Sequence, residues 1–199
     1  MRKINSDELI SLGVSSKITN LFNAHNIAIV SYIDAYRAKL FNYSEWHQCS
    51  ENTLATYFPH VDIVAVNFTK MHDIVEIEHV LLHEFAHATG RSTRENREGI
   101  IEHELRMSMP YYEACKIFNT REFYYRHKME EILADITSFE LAKKLELNDL
   151  RSRSKNARLY IDRQLRDIMA TQCIVVEQDT FVNIMILRGR ELANKYVTE

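Results

Sequence analysis

His83-Glu84-Phe85-Ala86-His87 is the stretch of this chain whose residue types and spacing define a chemistry. On a helix, residues four apart share a face, so His83 and His87 can offer two imidazoles to one ion. Glu84 then stands beside a water on that ion and outside its coordination shell, where a general base for hydrolysis belongs. Zinc suits two neutral imidazoles and one carboxylate, with the fourth position left for water. The competing explanation is a solvent-facing pair among the nine histidines of the chain. Against it stand Val80, Leu81, Leu82, Phe85, Ala86 and Ala88, which make the surrounding helix apolar. Burying His and Glu there without partners would be expensive.

The third ligand decides the class. The pattern HExxHxxGxxH is followed as far as Gly90, but Thr93 occupies the place of its last histidine, so that arrangement is excluded. The other common arrangement takes a glutamate from a second helix. The segment Lys128-Met129-Glu130-Glu131-Ile132-Leu133-Ala134-Asp135 has helical periodicity continuing to about Leu145. Glu131 and Asp135 are four apart and share a face with His127, one turn earlier. Glu131 is the expected ligand, and Asp135 can orient a ligating histidine through its other ring nitrogen. Glu130 takes the ligand role if the helix register is shifted by one. The plain alternative for this segment is an amphipathic helix with a solvated acidic face.

Elements must hold these residues in place. Asp73 to Gly90 is expected as one helix, with Asp73 and Glu76 forming a capping box and Gly90 closing the end in a left-handed conformation. Thr53 to Phe58 and Val61 to Phe68, rich in β-branched and aromatic residues, are expected as two strands joined around Pro59-His60. Asp62 to Asn67 is expected as an edge strand, able to hold an extended peptide by main-chain hydrogen bonds. Upstream, residues 1 to 14 read as a lead-in with about one helical turn before Gly13. A helix follows from Ser15 or Ser16 to about Phe41, although Ile27 to Val30 can equally be a short strand, which periodicity does not settle. Downstream come a helix from about Asn96, an aromatic segment from Tyr111 to Tyr125 expected mainly as core, and a last helix from about Thr180 to Tyr196. The expected class is α+β, mostly helical, with a small sheet before the histidine-bearing helix. Residues 1–50 form an N-terminal helical segment, and residues 51–199 form the domain that carries the site.

Composition narrows the function classes. A net charge of −3 over 199 residues gives no global attraction to nucleic acid or to an anionic membrane. The basic run from Arg151 to Arg166 is interrupted by Asp162 and reads as a solvated helix face. Cys49, Cys115 and Cys173 are far apart and odd in number, which suggests neither a disulfide framework nor a thiolate metal site. Asn5, Ser6, Asp7 and Glu8 do not fit a signal peptide, and no apolar run approaches a membrane span. A cytoplasmic location is expected.

Three stretches carry a resemblance: Tyr57-Phe58-Pro59 with Asp62-Ile63, Leu81 to Gly90, and Ser92 to Arg97. Together they resemble the metallopeptidase domain of ArdC-type antirestriction proteins, a domain type also found in polyvalent proteins of phages and conjugative elements. Glu130-Glu131-Ile132-Leu133-Ala134-Asp135 is similar to that family's EELVAE-like segment. Ala157 to Ile161 and Glu191 to Tyr196 are similar to its closing helix pair, so the likeness runs over about residues 53 to 197. It implies a zincin-like fold, a divalent metal on His83, His87 and Glu131, Glu84 as base, and a role in protecting or establishing incoming DNA. Arg91 stands where the family usually has histidine, and His127 where a tyrosine is expected. The family's single-strand-DNA-binding domain has no counterpart in Met1 to Ser50, so direct nucleic-acid binding is not expected. The resulting expectation is a zinc metallopeptidase acting on a protein or peptide. His127 or one of Tyr111, Tyr112, Tyr124 and Tyr125 would steady the oxyanion. Its rival is a non-catalytic anti-defence binding protein with a structural metal.

Overall fold

The computed structural model describes residues 1–41, 53–89, 122–147 and 178–197. Two compact units divide the chain, Met1–Ala88 and Thr89–Glu199.

The first unit is built on a four-stranded mixed sheet. Ile63-Val64-Ala65-Val66 is a run of four apolar residues, all buried, and it forms strand β4. A strand apolar on both faces belongs inside a sheet. Accordingly β4 lies between β2 (Ala28–Ser31), which it pairs in parallel, and β3 (Ala55–Phe58), which it pairs antiparallel. Strand β1 (Lys3–Ile4) adds antiparallel to β2, giving the order β1-β2-β4-β3. The expected edge strand at Asp62 to Asn67 is thus an interior one, and β1 and β3 are the outer strands among the described residues. The β3–β4 hairpin turns through residues 59–62, with Asp62 at φ 53° and its carboxylate accepting from the Tyr57 hydroxyl at 2.6 Å.

The helix expected from Ser15 to Phe41 is interrupted by β2. Helix α1 spans Ser6–Ser11, α2 spans Ser16–Ala24, and α3 spans Tyr32–Arg37. Asn26 ends α2 by taking φ 55°, while its N–H donates to Asn23 O and the Ile27 N–H to Phe22 O. That pair of bonds is the Schellman closure, here without glycine. The chain then leaves as β2, so the strand alternative at Ile27 to Val30 is the one observed. Ser31 caps α3 by accepting from Asp34 N.

One face of the sheet carries a core of Val30, Ile63 and Ala65 with Tyr32, Ala35 and Phe41. Phe41 stands edge-on to Phe58 at 4.8 Å between centroids. Ile29, Val64 and Val66, all buried, belong to the opposite face by strand alternation.

After a short 3-10 turn at Phe68–Lys70 comes α4 (Ile74–Thr89). Asp73 caps it, its carboxylate accepting from Glu76 N at 2.7 Å. Glu76 reaches back as expected, but to the N–H of His72, one residue beyond the cap, at 2.8 Å. The expected closure at Gly90 lies outside the described residues, as do the helix from Asn96, Tyr111 and Tyr112, and the three cysteines.

The second unit contains α5 (Glu122–Lys144) and α6 (Gln178–Tyr196), which pack together. Ile132, Ile136, Leu141 and Ala142 of α5 are buried, as are Leu192 and Ala193 of α6. Glu140 joins the two helices, bonding Lys143 at 2.6 Å and facing Arg190 at 3.6 Å. The architecture is α+β and mostly helical, with the sheet ahead of α4. Among the described residues no helix is long and apolar enough to cross a membrane.

Candidate metal centre

The orientation of α4 follows from what it packs on. Phe85 is fully buried, with Phe22 and His25 of the α2 region both at 5.3 Å between ring centroids. Burying such a ring is worth roughly 2–3 kcal/mol. Two turns earlier on the same face, the Glu78 carboxylate accepts the Ser15 N–H at 2.7 Å, at the start of α2 where a negative charge is favoured. At 3.6 residues per turn, Glu78 and Phe85 lie on the opposite side of α4 from His83 and His87. The face that docks on α2 therefore turns the imidazoles away from it.

His83 and His87 are half-buried, and their Nε2 atoms stand 3.0 Å apart with the rings at 77°. Two imidazole nitrogens this close either share one proton or direct lone pairs at one cation. Tetrahedral zinc with Zn–N bonds near 2.05 Å would hold them about 3.3 Å apart, so a few tenths of an ångström separate the observed spacing from a chelate. Glu131, half-buried on α5, is the third member: it, His83 and His87 each offer one ligand atom, all within 4.8 Å of one another. Two imidazoles and a carboxylate form a donor set that can hold a metal ion, and its chemistry fits zinc. Glu84 is 8% exposed, a buried carboxylate one residue from a ligand.

The three residues expected to ligate are thus together. Asp135 is half-buried on α5, one turn after Glu131. The side chains of Glu130 and His127 lie outside the described ones, and so do those of Tyr124 and Tyr125. Sequence reasoning did not pick out Glu78 or His25, which fix the helix from behind. The signal for Glu78 was available in its seven-residue spacing from Phe85, the stripe opposite the histidines. No family model matches the chain, and no curated protein or solved structure was found to match it.

Proposed function

We propose that the chain is a zinc-dependent metallopeptidase-like hydrolase, acting in the setting of a phage or mobile element. The observation that carries this is the convergence of His83, His87 and Glu131 within 4.8 Å, with Glu84 buried beside His83. A zinc ion on these ligands would supply a Lewis acid that polarises a peptide carbonyl and makes a water more acidic. Glu84 accepts the proton of the attacking water and returns it to the leaving amine. Asp135 orients a ligand from the far side, and His127 or a nearby tyrosine donates to the oxyanion. The mobile-element setting, with host defence as the process opposed, is supported by the resemblance of the helix motif and its flanks to ArdC-type domains.

The experiment is Glu84→Gln, which keeps shape and removes the base. Zinc content and fold should persist, while new peptide termini in a host-cell lysate, counted by mass spectrometry, should fall by roughly 10²-fold. A variant that keeps full effect in a phage or plasmid establishment assay would assign the function to binding instead of hydrolysis.

A further inference from the structure

We propose that Gly189 is a positioning residue for Glu131: it lets α6 approach α5 so closely that any side chain at 189 displaces the helix bearing the carboxylate. The inference rests on Glu131 being a ligand of the proposed site.

Glycine is the poorest helix former apart from proline, so a glycine well inside α6 asks for a packing reason. A Cβ placed on Gly189 would lie 2.5 Å from Cγ2 of Ile136, 3.1 Å from its Cβ and 3.3 Å from the backbone N of Thr137. The Ile136 side chain cannot swing clear. It is β-branched, held to essentially one χ1 rotamer in a helix, and the second and third contacts are to Cβ and backbone. It is also 2% exposed, with Thr137 and Ser138 at 1%, so it has no open path to solvent. Relief must come from the backbones of α5 and α6 moving apart, and Glu131 moves with α5.

The size of that movement decides the consequence. An ordinary carbon–carbon contact of about 3.5 Å requires an opening of roughly 1 Å. Glu131 lies five residues before Ile136, about 7.5 Å along the same helix. Metal–ligand distances hold within about 0.2 Å, several times less than the required shift. Rotation about the χ angles of Glu131 recovers part of the loss, so the expected effect is graded.

The test measures zinc affinity of the full chain by competition with a chelator, with circular dichroism and thermal melting to report folding. Gly189→Ala should weaken zinc on the order of 10-fold, the scale of a misplaced ligand environment. It should do so although alanine is the better helix former. Ile136→Ala in the same chain should restore most of the affinity by removing Cγ2. In a Glu131→Ala background, Gly189→Ala should add nothing. Unchanged zinc affinity in Gly189→Ala overturns the proposal, and so does an equal loss with and without Glu131, which would mean a general effect on packing. Should Gly189→Ala fail to fold, the Gly189→Ala/Ile136→Ala pair keeps the 3.1 Å Cβ contact and carries the same comparison. It should show a smaller loss that again vanishes without Glu131; no loss, or one that persists without Glu131, overturns the proposal. Wild-type protein without stoichiometric zinc, or Glu131→Ala without effect, would bring down the ligand assignment itself, a result distinct from the others.

Discussion

On α5, Thr137 and Ser138 are each 1% exposed, and each hydroxyl donates to a carbonyl of its own helix. Thr137 Oγ1 reaches Leu133 O and Ser138 Oγ reaches Asp135 O, both at 2.7 Å. On α4, His83 and His87 are half-buried, and they present their Nε2 atoms to each other at 3.0 Å. The contrast is one of reach. A short hydroxyl finds the carbonyl three or four residues back and its polarity is satisfied locally. An imidazole extends past its own backbone and carries its lone pair to a neighbouring side chain or an ion. Polar residues of the first kind are satisfied within their own helix, and those of the second kind are available for chemistry.

The strongest way to break this comparison is to remove the imidazoles. Wild-type protein should hold about one zinc per chain, and His83→Ala/His87→Ala should hold essentially none by elemental analysis, with a lower melting temperature because metal binding and folding are coupled. Stoichiometric zinc in the double variant would show that the α4 pair is as inert as the α5 hydroxyls.

A smaller effect is expected from the carboxylates of α5. Glu131→Ala should weaken zinc far more than Glu130→Ala, and Asp135→Asn should fall between them, on the order of 10–100-fold. Isothermal titration of the three variants checks the order. Greater damage from Glu130→Ala would place the ligand one residue earlier and remove Asp135 from its role.

The histidine pair of α4 was legible because its signals are local. The i, i+4 histidines, the Asp73 cap and the apolar residues between them all act within one helix. Strands β3 and β4 were legible for the same reason, being short β-branched and aromatic runs around Pro59. What escaped was decided at helix ends. Gly13, at φ 97°, announced the end of α1. Asn26, Lys39 and Glu146 close α2, α3 and α5 with the same pair of backbone bonds at φ 55°, 60° and 54°, but none is glycine. In a chain with four glycines, left-handed closures fall to residues that carry little turn signal, and for that reason α2, β2 and α3 read as one helix. Whether Asp62 to Asn67 lay at an edge depended on β2 pairing with it in parallel from more than thirty residues upstream. No local pattern encodes that pairing.

The hydroxyls of α5 supply the converse test. Thr137→Val preserves shape and deletes one buried donor whose acceptor is a helix carbonyl. Stability should fall by no more than about 1 kcal/mol in urea denaturation, since the carbonyl keeps other partners. Zinc affinity should be unchanged. A loss of zinc comparable to that of Asp135→Asn would mean that the hydroxyl supports the site and is not merely satisfied by its own helix.

Glu8 should give the smallest effect, because it is a carboxylate satisfied locally at the surface. It accepts the Asn5 N–H at 3.0 Å while Asn5 Oδ1 accepts the Glu8 N–H at 2.9 Å, a full capping box on α1. The Asn5 backbone hydrogen bond, followed by the Arg2 guanidinium, holds its carboxyl below the usual glutamate range. A carboxyl whose pKa is lowered on folding stabilises the folded state above its unfolded pKa. That contribution is lost as pH falls through the folded one. The α1 cap should therefore loosen only in acid, below the ordinary glutamate pKa, and remain intact at neutral pH. Hydrogen exchange at the Asn5 and Glu8 amides, followed from pH 6 down to pH 3, should show their protection fading first relative to the α2 amides. Glu8→Gln should remove most of that pH dependence and leave zinc affinity untouched. A zinc loss in Glu8→Gln would link α1 to the metal centre and end the distinction between locally satisfied polar groups and those that act.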